Sequence, residues 1–140
     1  MKRALALILS LICILALTCC TGGKDPNKEI GAYIDKNVKK VKVNYVRFGH
    51  DAEWTFDGEA IQPLRDWLRG LQCEYQKFEE HHTPGDGIGG EAYEFEPEGG
   101  KAFFYGNYGR DGTGKALCYL CTEKGWYFVK NPSDPPVREH

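Results

Sequence analysis

Serine is almost missing from this chain: Ser10 and Ser133 are the only two in 140 residues. Ser133 stands in a proline-rich C-terminal run, Asn131-Pro132-Ser133-Asp134-Pro135-Pro136, where nothing would hold a base against it. That excludes a Ser-His-Asp triad. No His-Glu-x-x-His spacing occurs, and no second ligand pair accompanies the single Cys-x-x-Cys. An excess of one charge is lacking too, with 18 Lys and Arg against 20 Asp and Glu. Scattered lysines on a mildly acidic chain exclude nucleic acid as the expected partner. There is no internal repeat, no sign of a second domain, and no long apolar run beyond residue 20.

The first twenty residues contain what the rest lacks. Lys2 and Arg3 precede an apolar run, Ala4 to Leu17, broken only by Ser10 and Cys13. This is the build of an export signal rather than of a folded element. Its end, Leu17-Thr18-Cys19-Cys20, resembles a bacterial lipobox, in which Leu sits three residues before a lipid-modified Cys. The departure is Cys19, where Gly, Ala or Ser is usual; Cys is small enough for the same pocket. The resemblance implies cleavage before Cys20 and a diacylglycerol on its sulfur, hence a cell-membrane protein on the extracytoplasmic face. Two alternatives stand beside it. One is simple secretion after cleavage near Thr21. The other is an uncleaved anchor, since Ala4 to Cys20 approaches the ~17–25 apolar residues that span a bilayer.

Without the signal, 16 basic groups face 20 acidic ones. The remaining chain, of about 120 residues, suits one domain with a real core. Its charge is uneven. Lys24 to Phe48 is basic and Gly49 to Glu98 acidic, so the basic stretch lies next to the expected anchor. Anionic lipid could attract each nearby Lys by about 1 kcal/mol, although a solvated linker and a solvated face account for the same pattern. The expected organisation is a signal peptide 1–19, a tether 20–29, one domain 30–131 and a Pro-rich tail 132–140.

Of six cysteines, Cys13 and Cys19 leave with the signal and Cys20 takes the lipid, so Cys73, Cys118 and Cys121 remain. An odd number allows at most one internal disulfide. Cys118 and Cys121 lie in Leu117-Cys118-Tyr119-Leu120-Cys121, which reads as a strand. Residues three apart on a strand face opposite sides, so these two are not expected to bridge. Any bridge should involve Cys73.

Along the domain, Ile30, Tyr33, Ile34 and Val38 recur at helical spacing, weakened by Gly31. Lys40 to Phe48 alternates as a strand, and Glu53 to Phe56 is a second. Asp57 to Arg69 reads as an amphipathic helix with Ile61, Leu64, Trp67, Leu68 and Leu71 on the buried face and Arg65, Asp66 and Arg69 opposite. Pro63 suits its first turn and Gly70 a left-handed stop. Strands follow at Gln72 to Phe78, Ala92 to Glu96, Ala102 to Tyr105, Leu117 to Cys121 and Trp126 to Lys130. Tyr108 to Lys115 reads as a Gly-rich loop, and the last two strands form a hairpin around Glu123-Lys124-Gly125.

The fold class is therefore α+β: one amphipathic helix packed on a curved antiparallel sheet of about five to seven strands. The order of elements is similar to cystatin-like folds. Their inhibitory Gln-x-Val-x-Gly motif is absent, so protease inhibition carries over to no residue. Trp54-Thr55-Phe56, the helix, Gly89-Gly90 with Tyr93, and Trp126-Tyr127 with Asn131-Pro132 together resemble small uncharacterised lipoproteins of Gram-positive bacteria. That resemblance implies attachment and supplies no activity.

Three clusters invite a chemical reading. Gly109 to Lys115 has P-loop spacing, but Ala116 stands where magnesium needs Ser or Thr, and a strand follows instead of a helix. Glu79, His81, His82 and Asp86 offer metal-ligating atoms suited to zinc or copper, although adjacent histidines converge only on an unusual backbone. Eight Tyr, seven Phe and three Trp exceed what one small core hides. Tyr105, Tyr108, Tyr119 and Tyr127 are the candidates for an exposed aromatic strip, while Trp67, Tyr93, Phe95, Phe103 and Trp126 are assigned to the core. The expected role is a non-enzymatic, envelope-attached binding or accessory module without a cofactor, meeting an envelope protein or glycan. Alternatives are an inhibitor or immunity-type protein that blocks an envelope enzyme and, third, a small metal-dependent hydrolase.

Overall fold

A computed structural model describes residues 24–47, 50–80, 82–84 and 90–137. The lipobox with Cys20, the signal 1–19, His81 and Asp86 lie outside the described residues. Helix α1, Pro26–Gly31, leads into a 3-10 turn, Ala32–Ile34. It starts within the expected tether because Asp25 accepts a hydrogen bond from the Asn27 N–H at 3.0 Å, and Pro26 supplies a preset φ for the first turn. Ile30 and Ile34 are both buried by this arrangement.

Strand β1, Lys40–Arg47, and strand β2, His50–Asp57, form a hairpin, with Val43 opposite Trp54. A 3-10 turn, Gly58–Ile61, then feeds helix α2, Gln62–Gly70. The regular helix thus begins later than its apolar spacing suggested, although Pro63 does sit in the first turn. Gly70 is not a left-handed stop. The chain leaves the helix through extended Leu71 (φ −68°, ψ 136°), and Asn131 closes its end from afar. The Asn131 amide donates to the Gly70 carbonyl at 2.8 Å, and its oxygen accepts from the Gln72 N–H at 2.6 Å.

Five more strands complete the sheet: β3, Cys73–Gln76; β4, Glu91–Pro97; β5, Phe103–Arg110; β6, Ala116–Thr122; and β7, Gly125–Val129. The order is β2-β1-β4-β5-β6-β7-β3, and each adjacent pair is antiparallel. The sheet is open, with β2 and β3 at its ends, so the molecule is α+β with two helices on one face. The expected loop from Tyr108 is instead the end of β5. A register shift between Asn107 and Arg110, with Gly109 at φ +137°, carries the strand on to Arg110.

The core lies between the helices and the sheet. Ile61, Leu64 and Leu68 meet Val41, Val43, Phe95, Phe103 and Leu120, all nearly inaccessible to solvent. Phe95 and Phe103 stack at 4.7 Å with planes 5° apart, Trp67 stacks on Phe95 at 5.5 Å, and Tyr33 meets Phe103 edge-on at 5.4 Å. Arg65 does not face free solvent as the helical pattern implied. Its guanidinium donates to the Val38 carbonyl at 2.7 Å and the Asp35 carbonyl at 3.2 Å, tying α2 to the turn before β1. The C-terminal segment from Asn131 crosses this side, burying Pro135 and packing Val137 against the core.

Candidate binding face

The four tyrosines expected in one exposed strip divide between the two faces of the sheet. Tyr105 and Tyr127 point toward the helices and are each 4 % exposed. Tyr105 meets Trp67 edge-on at 5.0 Å, and Tyr127 meets Tyr75 at 5.5 Å. Burial pushes the Tyr105 hydroxyl well above the ordinary tyrosine value. The expected strip is corrected in that half: these two are core residues. Alternation along β5 and β7 puts them there, in line with buried Phe103 and Val129.

Tyr108 and Tyr119 stand on the opposite face with Trp126, which therefore leaves the core to which its sequence pattern assigned it. Tyr119 is the hub. It lies 5.6 Å from Phe128, 5.8 Å from Phe78, and 6.3 Å from both Tyr108 and Trp126, measured between ring centres. Phe78 joins from the chain just past β3, 6.2 Å from Trp126. Phe104 stands opposite Cys121 in the next row and is 40 % exposed. Phe78, Phe104 and Phe128 were missed as surface candidates. Sequence alone could have offered only the high aromatic content of β5 and β7, since the face depends on register.

One glycine makes the cluster possible. Gly106 stands opposite Tyr119, and a Cβ there would approach the Tyr108 ring to 3.0 Å and the Glu91 carbonyl to 2.6 Å. Without a Cβ, the Tyr108 ring folds back over the bare backbone. Burial raises the Tyr108 hydroxyl above its ordinary value.

The face is half aromatic and half polar. Over β2, β1 and β4 it carries Lys42 paired with Glu53 at 3.0 Å, and Asn44 donating to Glu96 at 2.6 Å. Beyond the rings, Lys130 pairs with Glu74 at 2.7 Å. Among the described residues, no element crosses the aromatic half of the face.

The other sequence candidates separate. Glu79 and His82 are both exposed in the loop after β3, where the His82 N–H bonds the Glu79 carbonyl at 3.1 Å. Among the described residues, no group of three or more His, Cys, Asp or Glu is arranged to hold a metal ion. The P-loop spacing folds as a tight turn around its own carboxylate. Asp111 accepts from the Thr113 N–H (2.8 Å), the Thr113 hydroxyl (2.6 Å) and the Lys115 N–H (3.0 Å). Those bonds, the Thr113 hydroxyl first, hold the Asp111 carboxyl below its usual range, and they use donors that a phosphate would need.

Cys73, Cys118 and Cys121 are free thiols. Cys118 is buried toward the helices, whereas Cys121 lies half-buried on the aromatic face. Cys73 is opposite Val129, and Tyr119 is opposite Phe128, so β7 runs between Cys73 and Cys118. Two strand spacings amount to about 9.5 Å, beyond the ~7 Å that a disulfide spans. Burial raises all three thiol pKa values, that of Cys73 to about 12. An activated nucleophile requires the opposite shift.

No protein-family model matches the chain, and neither does any curated protein or solved structure.

Proposed function

We propose that this protein is a lipid-anchored, non-catalytic module of the cell envelope. It is held to the extracytoplasmic face of the membrane through Cys20 and docks a protein partner on its aromatic sheet face. The anchor rests on the resemblance of Leu17-Thr18-Cys19-Cys20 to a lipobox. Among the described residues no helix is long and apolar enough to cross a membrane; in this reading the lipid on Cys20 supplies the attachment.

The observation that carries the binding role is the ring cluster around Tyr119, packed ring on ring with no described element over its outer side. Aromatic side chains concentrate binding energy in protein interfaces because they bury large areas at small entropic cost. A protein surface suits this cluster better than a glycan. Its rings meet at steep angles, 61° to 82°, so they do not form the flat platform on which a sugar ring would lie. A non-catalytic role is supported by the raised thiols and by the self-satisfied Asp111 turn.

Site-directed photocross-linking in intact envelopes tests the reading. A cross-linker at position 104 should capture a discrete protein, one at position 96 should not, and Tyr119→Ala should abolish capture. Equal labelling from both positions would refute it. If the captured partner is an enzyme that loses activity in the complex, the inhibitor reading replaces the accessory one.

A further inference from the structure

The far end of the sheet carries a second surface, unrelated to the aromatic face. Strand β2 is an end strand, and among the described residues it pairs with β1 alone. Its outer side therefore presents alternate N–H and C=O groups to whatever lies beside it. The strand also sorts its side chains. Trp54 and Phe56 stand on the helix side, opposite buried Val43 and Val41. Asp51, Glu53, Thr55 and Asp57 stand on the other side, all exposed.

A groove of about 340 Å³ runs along this edge, lined on the helix side by Trp54, Phe56, Ala60, Pro63 and Pro136. It exists because the 3-10 turn after Gly58 (φ +52°) swings the chain back toward α2, while the C-terminal segment brings Pro136 alongside. Two of its walls are prolines, which have no N–H, so the groove offers apolar contact with few competing donors. The charge of β2 itself is one-sided, with Lys40 of the neighbouring β1 standing opposite its Asp57. Within β2 the only basic side chain is His50, against Asp51, Glu53 and Asp57, and exposed Glu59 follows. Glu53 is paired with Lys42 at 3.0 Å; Asp51, Asp57 and Glu59 have no ion pair among the described residues.

We infer that the β2 edge is a strand-addition site for an extended polypeptide segment in which apolar residues alternate with Lys or Arg. Each half of that pattern answers one half of β2. Added strands bond through their main chain, and alternate side chains take opposite faces. The apolar set enters the groove beside Trp54 and Phe56, and the basic set lies over Asp51, Glu53 and Asp57.

A second copy of this chain fits poorly. Antiparallel self-pairing about a two-fold axis through Glu53 sets Glu53 against Glu53. An axis at Trp54 sets Asp51 against Asp57, and one at Thr55 sets Glu53 against Asp57. Like charges directly opposite are destabilising in every case.

The test uses the full chain in non-ionic detergent and the acetylated peptide Val-Lys-Val-Lys-Val-Lys-Val as probe. Binding should move the amide signals of Asp51–Asp57 in ¹H–¹⁵N spectra and slow their hydrogen exchange. Replacing peptide Lys by Glu, or combining Asp51→Lys with Asp57→Lys in the protein, should weaken binding on the order of tenfold or more. N-methylation of alternate peptide residues should abolish it, because it removes the edge hydrogen bonds and keeps the charge. Shifts centred on Phe104 and Tyr119, undiminished binding of the N-methylated peptide, or self-association through β2 would each overturn the inference. The peptide arms need no protein variant, so a poorly folding double substitution leaves the test intact.

Discussion

The Tyr105 hydroxyl and the main chain of Ser133 hold each other twice. The hydroxyl donates to the Ser133 carbonyl at 2.9 Å and accepts from the Ser133 N–H at 3.2 Å. The same carbonyl accepts from the Trp67 indole at 3.2 Å. Ser133, the one serine after residue 10, thus serves through its backbone, pinning the C-terminal segment across the gap between α2 and β5.

Tyr105→Phe keeps the ring and removes both bonds. It should cost about 1–2 kcal/mol and expose the segment from Pro132 to Val137 to proteases before the rest of the domain. Limited proteolysis with mass mapping, alongside urea unfolding, reads both effects. Unchanged cleavage order would mean that apolar packing of Pro135 and Val137 alone holds the segment.

Trp67→Ala removes a ring stacked on Phe95 and edge-on to Tyr105, and should cost about 3 kcal/mol or more. Arg65→Ala should not be silent. Two partly buried bonds to backbone carbonyls are worth about 1–3 kcal/mol when the donor is charged. Asp66→Ala, on an exposed position of the same helix, should fall below both. Thermal melts that place Arg65→Ala with Asp66→Ala would remove the proposed tie between α2 and the Asp35–Val38 turn.

Stability should decline at alkaline pH. The folded Cys73 thiol, pushed by burial to about 12, and the Tyr33 hydroxyl, pushed chiefly by burial and then by Glu123 to about 12, keep protons that the unfolded chain gives up earlier. The unfolded state then binds fewer protons, and unfolding free energy falls with rising pH. The loss should begin near the ordinary thiol value of about 8.5 and deepen toward pH 12. Urea midpoints between neutrality and pH 11 test this, and Cys73→Val should flatten the slope. All three thiols should also stay reduced and react slowly with alkylating agents until the chain unfolds. A disulfide between Cys118 and Cys121 in non-reduced peptide maps would contradict the strand.

The Asp111 turn should fail at the other end of the scale. Its carboxyl is depressed, so its bonds survive above the ordinary carboxylate range and are lost as pH falls through the lower folded value. Amide exchange at Thr113 and Lys115 should rise only in that acidic window, and Asp111→Ala should raise it at neutral pH. Neither the native turn nor that variant should bind inorganic phosphate. Phosphate-dependent shifts at these amides would reopen the nucleotide-loop reading.

Cys20→Ala should abolish palmitate labelling and leave the chain unprocessed or released. Labelling that persists in the variant would sink the lipid anchor.

Much of the fold was legible where one side of an element is wet. Tyr93 and Phe95 alternating with Glu94 and Glu96 marked β4, and Val41, Val43 and Tyr45 marked β1. Ile61, Leu64, Leu68 and Leu71 marked the buried side of α2. Where both sides of a strand are apolar, nothing local distinguishes its two faces. In Phe103-Phe104-Tyr105 and Trp126-Tyr127-Phe128 no polar row says which ring faces the helices, so in the sequence Tyr105 and Tyr127 look no different from Tyr108 and Tyr119. Tyr108 was hidden further by glycines on both sides, which suggest a loop, whereas Gly106 in fact gives its ring room. The role of Arg65 depends on carbonyls at Asp35 and Val38, far away in the chain. Such a long-range partner leaves no local trace.

The pairing of β3 with β7 has a consequence for timing. Cys73 must wait for Val129, and among the described residues β3 has no other neighbour in the sheet. A chain that emerges with its N-terminus first can form the β1–β2 hairpin and α2 early. It must then carry β3 idle until Gly125–Val129 has followed. Closing so long a loop is entropically costly and slow. Nascent chains stalled before Gly125 should therefore stay protease-sensitive at β3, and that protection should appear only once Gly125–Val129 has followed.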